Sequence, residues 1–342
     1  MMSTKLRWGI LGTGNIAHQF SIGVMGSDRG QLAAVGSRND ESARQFAADH
    51  QIHNSHGSYE ALMADSNVDA IYNSLPNSMH HEWTIKALNA GKHVLCEKPF
   101  ANDAAQSQEM FDLARRRGLR VVEAFMYRSN PLTIAAKQAL ASGVIGELRL
   151  IRTSFCYRTY KISGNIRFDR HLGGGGIMDI GCYCVNFARH FAGEEPEQIT
   201  AAGHFHSSGV DDLAVGTMKF PSGVLASFSC GMSAHADNTA YLCGSEGSIE
   251  IPIPWKPPRD NATYVIARGI RPKMDGPVGP APTGPARQVV TVPVHGDLYG
   301  LEADDFAAVV QDGKKPTITE ADTMGNMRVL DELRKQIGLK FV

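Results

Sequence analysis

The sequence predicts a two-domain α/β protein in which a doubly wound parallel sheet is followed by an α+β domain with a large, mostly antiparallel open sheet. The chain has 342 residues, and a single hydrophobic core rarely grows beyond about 250–300 residues. Up to about residue 125, short apolar runs alternate with helical segments, which is typical of a parallel sheet covered on both faces. After Pro131, strand-like runs follow one another without helices, which indicates an antiparallel sheet.

The first predicted domain comprises residues 1–125. Its strands are predicted at residues 6–11, 32–36, 69–73, 93–96 and 119–125. The helices between them are predicted at residues 15–25, 41–50, 82–89 and 103–117. Gly91 and Gly118 end the last two helices, and the run Arg115, Arg116 and Arg117 suits the final turn of a helix, where cations are favoured.

The second predicted domain comprises residues 126–342. Helices are predicted at residues 132–141 and 177–191, and strands at 147–157, 198–206, 213–220, 224–230, 239–243 and 248–251. Residues 252–295 hold ten of the sixteen prolines, so we expect a long loop region there, interrupted by strands at 263–267 and 288–292. Two final helices, at residues 299–311 and 320–337, follow the sheet and could pack on either domain.

Composition excludes several classes of protein. With 43% hydrophobic and 20% charged residues, the chain is not wholly disordered. Thirty-four basic and thirty-five acidic residues give a net charge of −1, so nucleic acid and membrane are not expected partners, although a local patch could be hidden in this average. The N-terminus lacks the apolar stretch of a signal peptide, and the six cysteines form no CxxC pair. We therefore expect reduced, mostly buried thiols and a cytoplasmic location.

A glycine-rich turn follows the first predicted strand. Gly12, Gly14 and Ala17 form a GxGxxA pattern with Asn15 and Ile16 between them. Gly12 suits a tight turn, Gly14 allows a pyrophosphate to approach the backbone, and the helix N-terminus supplies unpaired amides. Between a buried strand and an amphipathic helix, this pattern predicts a dinucleotide site.

The end of the second strand bears on which dinucleotide binds. A small polar residue followed by arginine, here Ser37 and Arg38, suits the 2′-phosphate of NADP, and a planar guanidinium can also stack on adenine. The alternative is that Arg38 is a solvated surface residue and that Asp40 binds the ribose of NAD. We expect NADP, with NAD possible.

Two further clusters suggest chemistry. Glu97, Lys98 and Pro99 end a parallel strand, so Lys98 should point into the ligand crevice. The glycines at 173–176 precede an apolar helix on which Asp179, Tyr183 and Asn186 share one face. A polar stripe on a buried helix serves either a structural hydrogen-bond network or a ligand site, because unpaired buried carboxylates are very costly. His204 and His206 alternate on one strand, but they have no third partner at metal-ligand spacing, so no metal site is predicted.

With these motifs, the sequence resembles the Gfo/Idh/MocA oxidoreductases over nearly its whole length. The resemblance rests on the GxGxxA turn, on Leu75-Pro76-Asn77 with His80, on Glu97-Lys98-Pro99, and on the glycines before Asp179. It implies a Rossmann domain followed by an α+β domain whose open sheet forms a homo-oligomer, a dimer or tetramer. Tyr183 and the segment 123–128 are most similar to the branch of dimeric dihydrodiol dehydrogenases and NADP-dependent xylose dehydrogenases.

The resemblance also implies roles for individual residues. Lys98 and Tyr183 would handle the proton and bind substrate, and Asp179 would orient the substrate or the lysine, with Asn186 also on the substrate side. A neighbouring lysine would bring the pKa of Tyr183 down from its ordinary value of about 10. In the family the Lys98–Pro99 bond is often cis. The residues implied in cofactor binding are Gly12, Gly14, Asn15, Ile16, Ser37, Arg38, Ser74, Leu75, Asn77, His80, Glu97, Lys98 and Arg128.

The predicted function is hydride transfer between NADP(H) and a hydroxyl or carbonyl of a small sugar, polyol or cyclic diol. Two alternatives remain from the sequence. One is an NAD-dependent glycosidase of the same superfamily, although such enzymes usually differ at the position of Tyr183. The other is a non-catalytic NADP-binding sensor, which would need neither Lys98 nor Tyr183.

Overall fold

The computed structural model describes residues 5–268 and 286–339. Its first sheet contains six parallel strands: β1 (Leu6–Leu11), β2 (Gly30–Gly36), β3 (Asn54–His56), β4 (Ala70–Asn73), β5 (His93–Glu97) and β6 (Val121–Ala124). Their order across the sheet is β3-β2-β1-β4-β5-β6, which is the doubly wound order in which the chain reverses direction next to β1. The predicted parallel sheet is confirmed.

Five helices belong to this half of the chain: α1 (Asn15–Met25), α2 (Asp40–Asp49), α3 (Tyr59–Ala64), α4 (His80–Asn89) and α5 (Ala104–Arg117). Side-chain caps explain where three of them begin, since the side chains of Asn39, Ser58 and Asp103 accept from backbone amides in the first turns of α2, α3 and α5. Helix α5 ends at Gly118 in a left-handed conformation, after the predicted triple arginine.

The second sheet has eight strands: β7 (Leu148–Cys156), β8 (Gln198–Phe205), β9 (Asp211–Lys219), β10 (Leu225–Gly231), β11 (Ala240–Gly244), β12 (Gly247–Ile251), β13 (Ala262–Arg268) and β14 (Ala286–Val292). Their order is β14-β13-β12-β11-β7-β10-β9-β8. All neighbours are antiparallel except β7 and β10, so the predicted mostly antiparallel sheet is confirmed. Much of the predicted proline-rich loop region lies outside the described residues.

Four helices complete the fold: α6 (Pro131–Ala141), α7 (Cys182–Ala192), α8 (Leu298–Gln311) and α9 (Glu320–Gln336). Helix α7 follows a π-helical turn at Ile177–Gly181, where one continuous α-helix was predicted. The two final helices pack in different places. Helix α8 packs on α1, and Phe306 lies 5.2 Å from Trp8 between ring centroids. Helix α9 contacts α5, α7 and β8, so it joins both halves.

Three observations on the described residues complete the description. No helix among them is both long and apolar enough to span a bilayer. No group of three potential metal ligands is found in residues 5–268 and 286–339. All six cysteines are free thiols and five are buried.

Candidate active site

A cleft with a volume of about 540 Å³ lies between the two halves of the chain. The first half contributes the turn at Gly14, the loop after β4 and Lys98 at the end of β5. The second half contributes Asp179, in the π-helical turn, and Tyr183, in the first turn of α7. The two glycine-associated clusters predicted from the sequence therefore meet at one site.

The glycine turn fits a dinucleotide. Gly12 has a φ of +98°, which favours glycine. A Cβ built on Gly14 would meet no atom within 4 Å, so open space faces its backbone. Gly14 is the N-cap of α1 and no side chain caps the first-turn amides, which leaves these donors free for a pyrophosphate. The residues present therefore fit an NAD(P) cofactor.

Lys98 is oriented by Asp179. The Lys98–Pro99 bond is cis, as the resemblance implied. The Lys98 ammonium donates to the Asp179 carbonyl at 2.7 Å and lies 3.3 Å from the carboxylate Oδ1. Burial is the largest single effect and lowers the pKa of Lys98, but the charges of Asp179, Cys182 and Glu97 together outweigh it, so the pKa is raised above its ordinary value. Lys98 is thus a firmly protonated cation at neutral pH.

Asp179 accepts from two residues that the sequence analysis missed. The Tyr157 hydroxyl donates to Oδ2 at 2.5 Å, and Arg167 Nε donates to the same oxygen at 2.8 Å. Burial raises the pKa of Asp179, but Lys98 and Arg167 lower it to about 2. Asp179 is a fixed anion between two cations.

The Tyr183 hydroxyl is buried and faces the Met126 sulfur at 3.3 Å. The Lys98 ammonium lies 5.3 Å from the centroid of the Tyr183 ring. Burial, followed by the charge of Glu97, raises the pKa of Tyr183 well above its ordinary value. The expectation that Lys98 lowers this pKa is wrong, because desolvation of the phenol dominates. In this state Tyr183 is a neutral hydroxyl.

The glycines at 173–176 are closely packed within the chain. A Cβ on Gly174 would lie 2.4 Å from the Arg167 carbonyl oxygen, and one on Gly175 would lie 2.3 Å from Asp211 Oδ1. Gly175 also has a φ of +121°. This close packing holds the loop that carries Arg167 beside Asp179, and Gly174 also lines the cleft, so the expected approach of this backbone to a ligand is not contradicted.

Most residues implied in cofactor binding line the cleft. They are Gly14, Asn15, Ile16, Ser74, Leu75, Asn77, His80, Glu97 and Lys98. Gly12 lies in the turn behind them. Ser37 is buried at the end of β2, and Arg38, which is exposed, lies next to Tyr59. His80 fixes the loop rather than titrating, because its ring nitrogens contact the Leu75 and Pro99 carbonyls and burial lowers its pKa to about 4.

Two predicted site residues lie elsewhere. Asn186 is fully buried, and its Oδ1 accepts from the Tyr127 hydroxyl at 2.6 Å and from Arg128 at 3.0 Å. Arg128 also pairs with Asp322 at 2.8 Å. Neither Asn186 nor Arg128 lines the cleft, so substrate contact by Asn186 and cofactor contact by Arg128 are corrected to a structural network. Asp179 and Tyr183 of the predicted stripe both line the cleft, and only Asn186, further along α7, lies outside it.

Comparison with protein-family models identifies both halves of the chain. Residues 6–125 match the oxidoreductase family with an NAD-binding Rossmann fold, and residues 133–250 match the GFO/IDH/MocA C-terminal domain. Among curated proteins, trans-1,2-dihydrobenzene-1,2-diol dehydrogenase from Mus musculus is 34% identical over 341 residues, with 98% of each chain covered. The enzyme of this name from Homo sapiens is 33% identical over 342 residues, also with 98% of each chain covered.

Solved structures agree with this assignment. The 3-ketoreductase KijD10 from Actinomadura kijaniata, in complex with NADP and TDP-benzene, has a TM-score of 0.87 and 29% identity, covering 97% of this chain and 98% of that one. The aldose-aldose oxidoreductase from Caulobacter crescentus, complexed with glycerol, has a TM-score of 0.83 and 25% identity, with 97% of each chain covered. The chain therefore belongs to the Gfo/Idh/MocA oxidoreductase family and is an NAD(P)-dependent oxidoreductase acting on CH–OH groups.

Proposed function

We propose that the chain transfers a hydride between NADP(H) and a hydroxyl or carbonyl of a small sugar, polyol or cyclic diol. The observation that carries this proposal is the convergence of Lys98, Asp179 and Tyr183 on the cleft that also contains the Gly14 turn. The names of the relatives support the substrate class, since they include a diol dehydrogenase, a 3-ketoreductase and an aldose oxidoreductase.

Lys98 and Tyr183 are the proposed groups that bind and protonate the substrate oxygen. When bound, the cofactor supplies the hydride donor or acceptor at the substrate carbon. In the direction of carbonyl reduction, the Tyr183 hydroxyl gives its proton to the oxygen, and the Lys98 ammonium donates a hydrogen bond that stabilises the developing negative charge. In oxidation the proton passes from the substrate hydroxyl back to the protein.

The protonation state of the site favours reduction near neutral pH. The pKa of Lys98 and that of Tyr183 are both raised, so both groups keep their protons and offer two donors to a carbonyl oxygen. The present hydrogen bond of Tyr183 goes to the Met126 sulfur, and a thioether is a weak acceptor. Turning the hydroxyl from this sulfur to a substrate oxygen therefore costs little.

A preference for NADP is proposed from Arg38. Its exposed guanidinium lies beside Tyr59 at the end of β2, and bidentate pairing with a phosphate suits such a group. The structure of KijD10 with bound NADP supports this choice. The predicted division of the chain at residue 125 and a cytoplasmic location also remain proposals.

We place a homo-oligomer interface, forming a dimer or tetramer, on the open face of the second sheet. Val215 on β9 is 50% exposed, although its neighbours Ala214 and Met218 are buried. Val215→Glu should therefore reduce the mass measured by size-exclusion chromatography with light scattering. Ile134→Glu on α6, at another exposed apolar residue, is the control. An unchanged oligomer in Val215→Glu would contradict this interface.

The central experiment is a screen of NADP reduction, followed by NADPH absorbance, against pentoses, hexoses, polyols and cyclic diols. We expect turnover with at least one of these classes. NADP that binds but that no member of the panel reduces would contradict the proposal and favour a sensor. Release of nitrophenol from p-nitrophenyl glycosides without added cofactor would instead favour the glycosidase.

A further inference from the structure

Positive charge is concentrated in the segment between β7 and the π-helical turn. Residues 157–172 contain Arg158, Lys161, Arg167 and Arg170, and a single acid, Asp169. This stretch therefore carries a formal charge of +3 (four cations minus one acid) within a chain whose net charge is −1. The near-zero net charge of the whole chain therefore includes a cationic segment beside the active-site cleft.

This segment separates the cleft from a second cavity. The second cavity has a volume of about 450 Å³, and Arg170, His171 and Ser208 contribute to its lining together with Asp169, whose carboxylate accepts from the His171 amide. Asn165, Ile166 and Leu172 line both this cavity and the cleft. The two cavities are therefore neighbours on either side of one wall.

The arginines on the two sides of this wall differ in their partners. Arg167 forms an ion pair with Asp179. Among residues 5–268 and 286–339, no carboxylate forms an ion pair with Arg170, whose side chain lies over the turn at Gly209. An arginine without a counter-ion, on the wall of an open cavity, is suited to phosphate recognition because its fork can donate two hydrogen bonds to one anion.

Exposed apolar side chains lie in the same segment. Tyr160 is 78% exposed, and Ile166, in the shared wall, is 45% exposed. The Arg158 guanidinium lies 5.2 Å from the centroid of the Tyr160 ring. Tyr160 lines neither cavity, so its ring can stack only on a part of a ligand that extends beyond the second cavity.

We propose that the second cavity is an anion subsite which binds the phosphate of a phosphorylated sugar or nucleoside-diphosphate sugar, with Arg170 as its principal ligand. This proposal deepens the proposed function and rests on it, because the sugar itself would occupy the cleft. It assigns the substrate to the phosphate-bearing members of the sugar class.

The test measures binding rather than turnover. Isothermal titration calorimetry is run with saturating NADP, so that the dinucleotide site is filled, using UDP, glucose 6-phosphate and glucose as probes. We expect UDP to bind at least about tenfold more tightly than glucose, and Arg170→Gln to weaken UDP binding by about tenfold, as loss of a charge-assisted contact does. Tighter binding of glucose 6-phosphate than of UDP would assign the subsite to phosphate monoesters.

Arg116→Gln is the matched control. Arg116 is an exposed arginine in the last turn of α5, on the other domain, so its loss changes net charge equally without touching the subsite. Equal affinity for phosphorylated and neutral probes, or equal weakening by Arg116→Gln and Arg170→Gln, would overturn the subsite. UDP binding that depends on Arg170, combined with an absence of redox turnover in the substrate screen, would support the subsite and overturn the proposed function.

Discussion

Asp179→Asn tests whether the charge of Asp179 keeps Lys98 protonated. The amide has nearly the same shape, and its one oxygen can still accept from Tyr157 and Arg167. Its NH2 group then takes the place of Oδ1 beside Lys98, so the substitution removes both the charge and the side-chain acceptor of Lys98 with little change in volume. Burial lowers the pKa of Lys98 and Asp179 is the first group that raises it. Without that charge, burial dominates and the pKa of Lys98 falls.

The size of the effect depends on the separation of the two charges. Lys98 Nζ and Asp179 Oδ1 are 3.3 Å apart, and their side chains are 14% and 13% exposed. At an effective dielectric constant of about 20, two unit charges at this distance interact by roughly 5 kcal/mol. Each 1.4 kcal/mol corresponds to about a tenfold change in proton binding, which is one pKa unit. A loss approaching this magnitude would therefore lower the pKa of Lys98 into the pH range in which enzyme kinetics can be measured.

The assay is the pH dependence of kcat/KM for carbonyl reduction. Below the pKa of Lys98 the cation is present, and above it the cation is lost. We therefore expect a flat profile for the unmodified chain from about pH 6 to about pH 9. Asp179→Asn should show a falling basic limb within this range, and its Kd for NADP should stay within about twofold of the original because the cofactor turn is untouched.

Tyr157→Phe is the matched control, since it removes a hydrogen bond to Asp179 and leaves both charges in place. It should lower kcat without moving the basic limb. A pH profile for Asp179→Asn that coincides with that of the unmodified chain would refute the electrostatic reasoning. The same basic limb in both variants would show that positioning, rather than charge, is what Asp179 provides.

Three further outcomes are expected. Tyr183→Phe should lower kcat by at least about 100-fold, as loss of a proton donor does, while NADP binding measured by fluorescence titration is retained; full activity would refute its role. Arg38→Gln should lower the ratio of NADP to NAD affinity by about tenfold, and an unchanged ratio would contradict the assignment. Gly14→Leu should abolish cofactor binding with an unchanged Tm, because a Cβ there meets no atom within 4 Å; Gly175→Ala, at a φ of +121°, should instead lower the Tm.

The first βαβ unit was predictable because its signals are local. A run of apolar residues, a glycine that needs a positive φ and an amphipathic helix succeed one another within residues 6–25, and the structure contains them as β1, the Gly12 turn and α1. By contrast, β3 and α3 were missed. Strand β3 consists of three polar residues, Asn54–His56, and α3 has only six residues, so neither shows a hydrophobic period long enough to be recognised.

Residues of the candidate site were predictable only where a local sequence motif contains the reactive or charged side chain itself. Lys98 and Asp179 stand out as charged residues beside a proline and a glycine run. The stripe correctly brings Asp179 and Tyr183 together, but Asn186 lies further along the regular part of α7, where its side-chain oxygen accepts from Tyr127 and Arg128 instead of facing the cleft. Spacing along a helix predicts a shared face, but it does not predict where along the helix the cleft ends. The π-helical turn at Ile177–Gly181 was also not predicted.

Tyr157 and Arg167 could not be assigned from the sequence because their role depends on tertiary structure. Tyr157 follows β7, at the centre of the second sheet, and Arg167 lies in a short 3-10 turn before the glycine run. They meet at one oxygen of Asp179, and on the Arg167 side the backbone at Gly174 approaches the Arg167 carbonyl too closely for any side chain. The glycine run correctly indicated where the site lies, but these glycines are needed for packing within the chain. Its glycines pack the loop that delivers Arg167 to Asp179, and through Asp179 they set the charge state of Lys98.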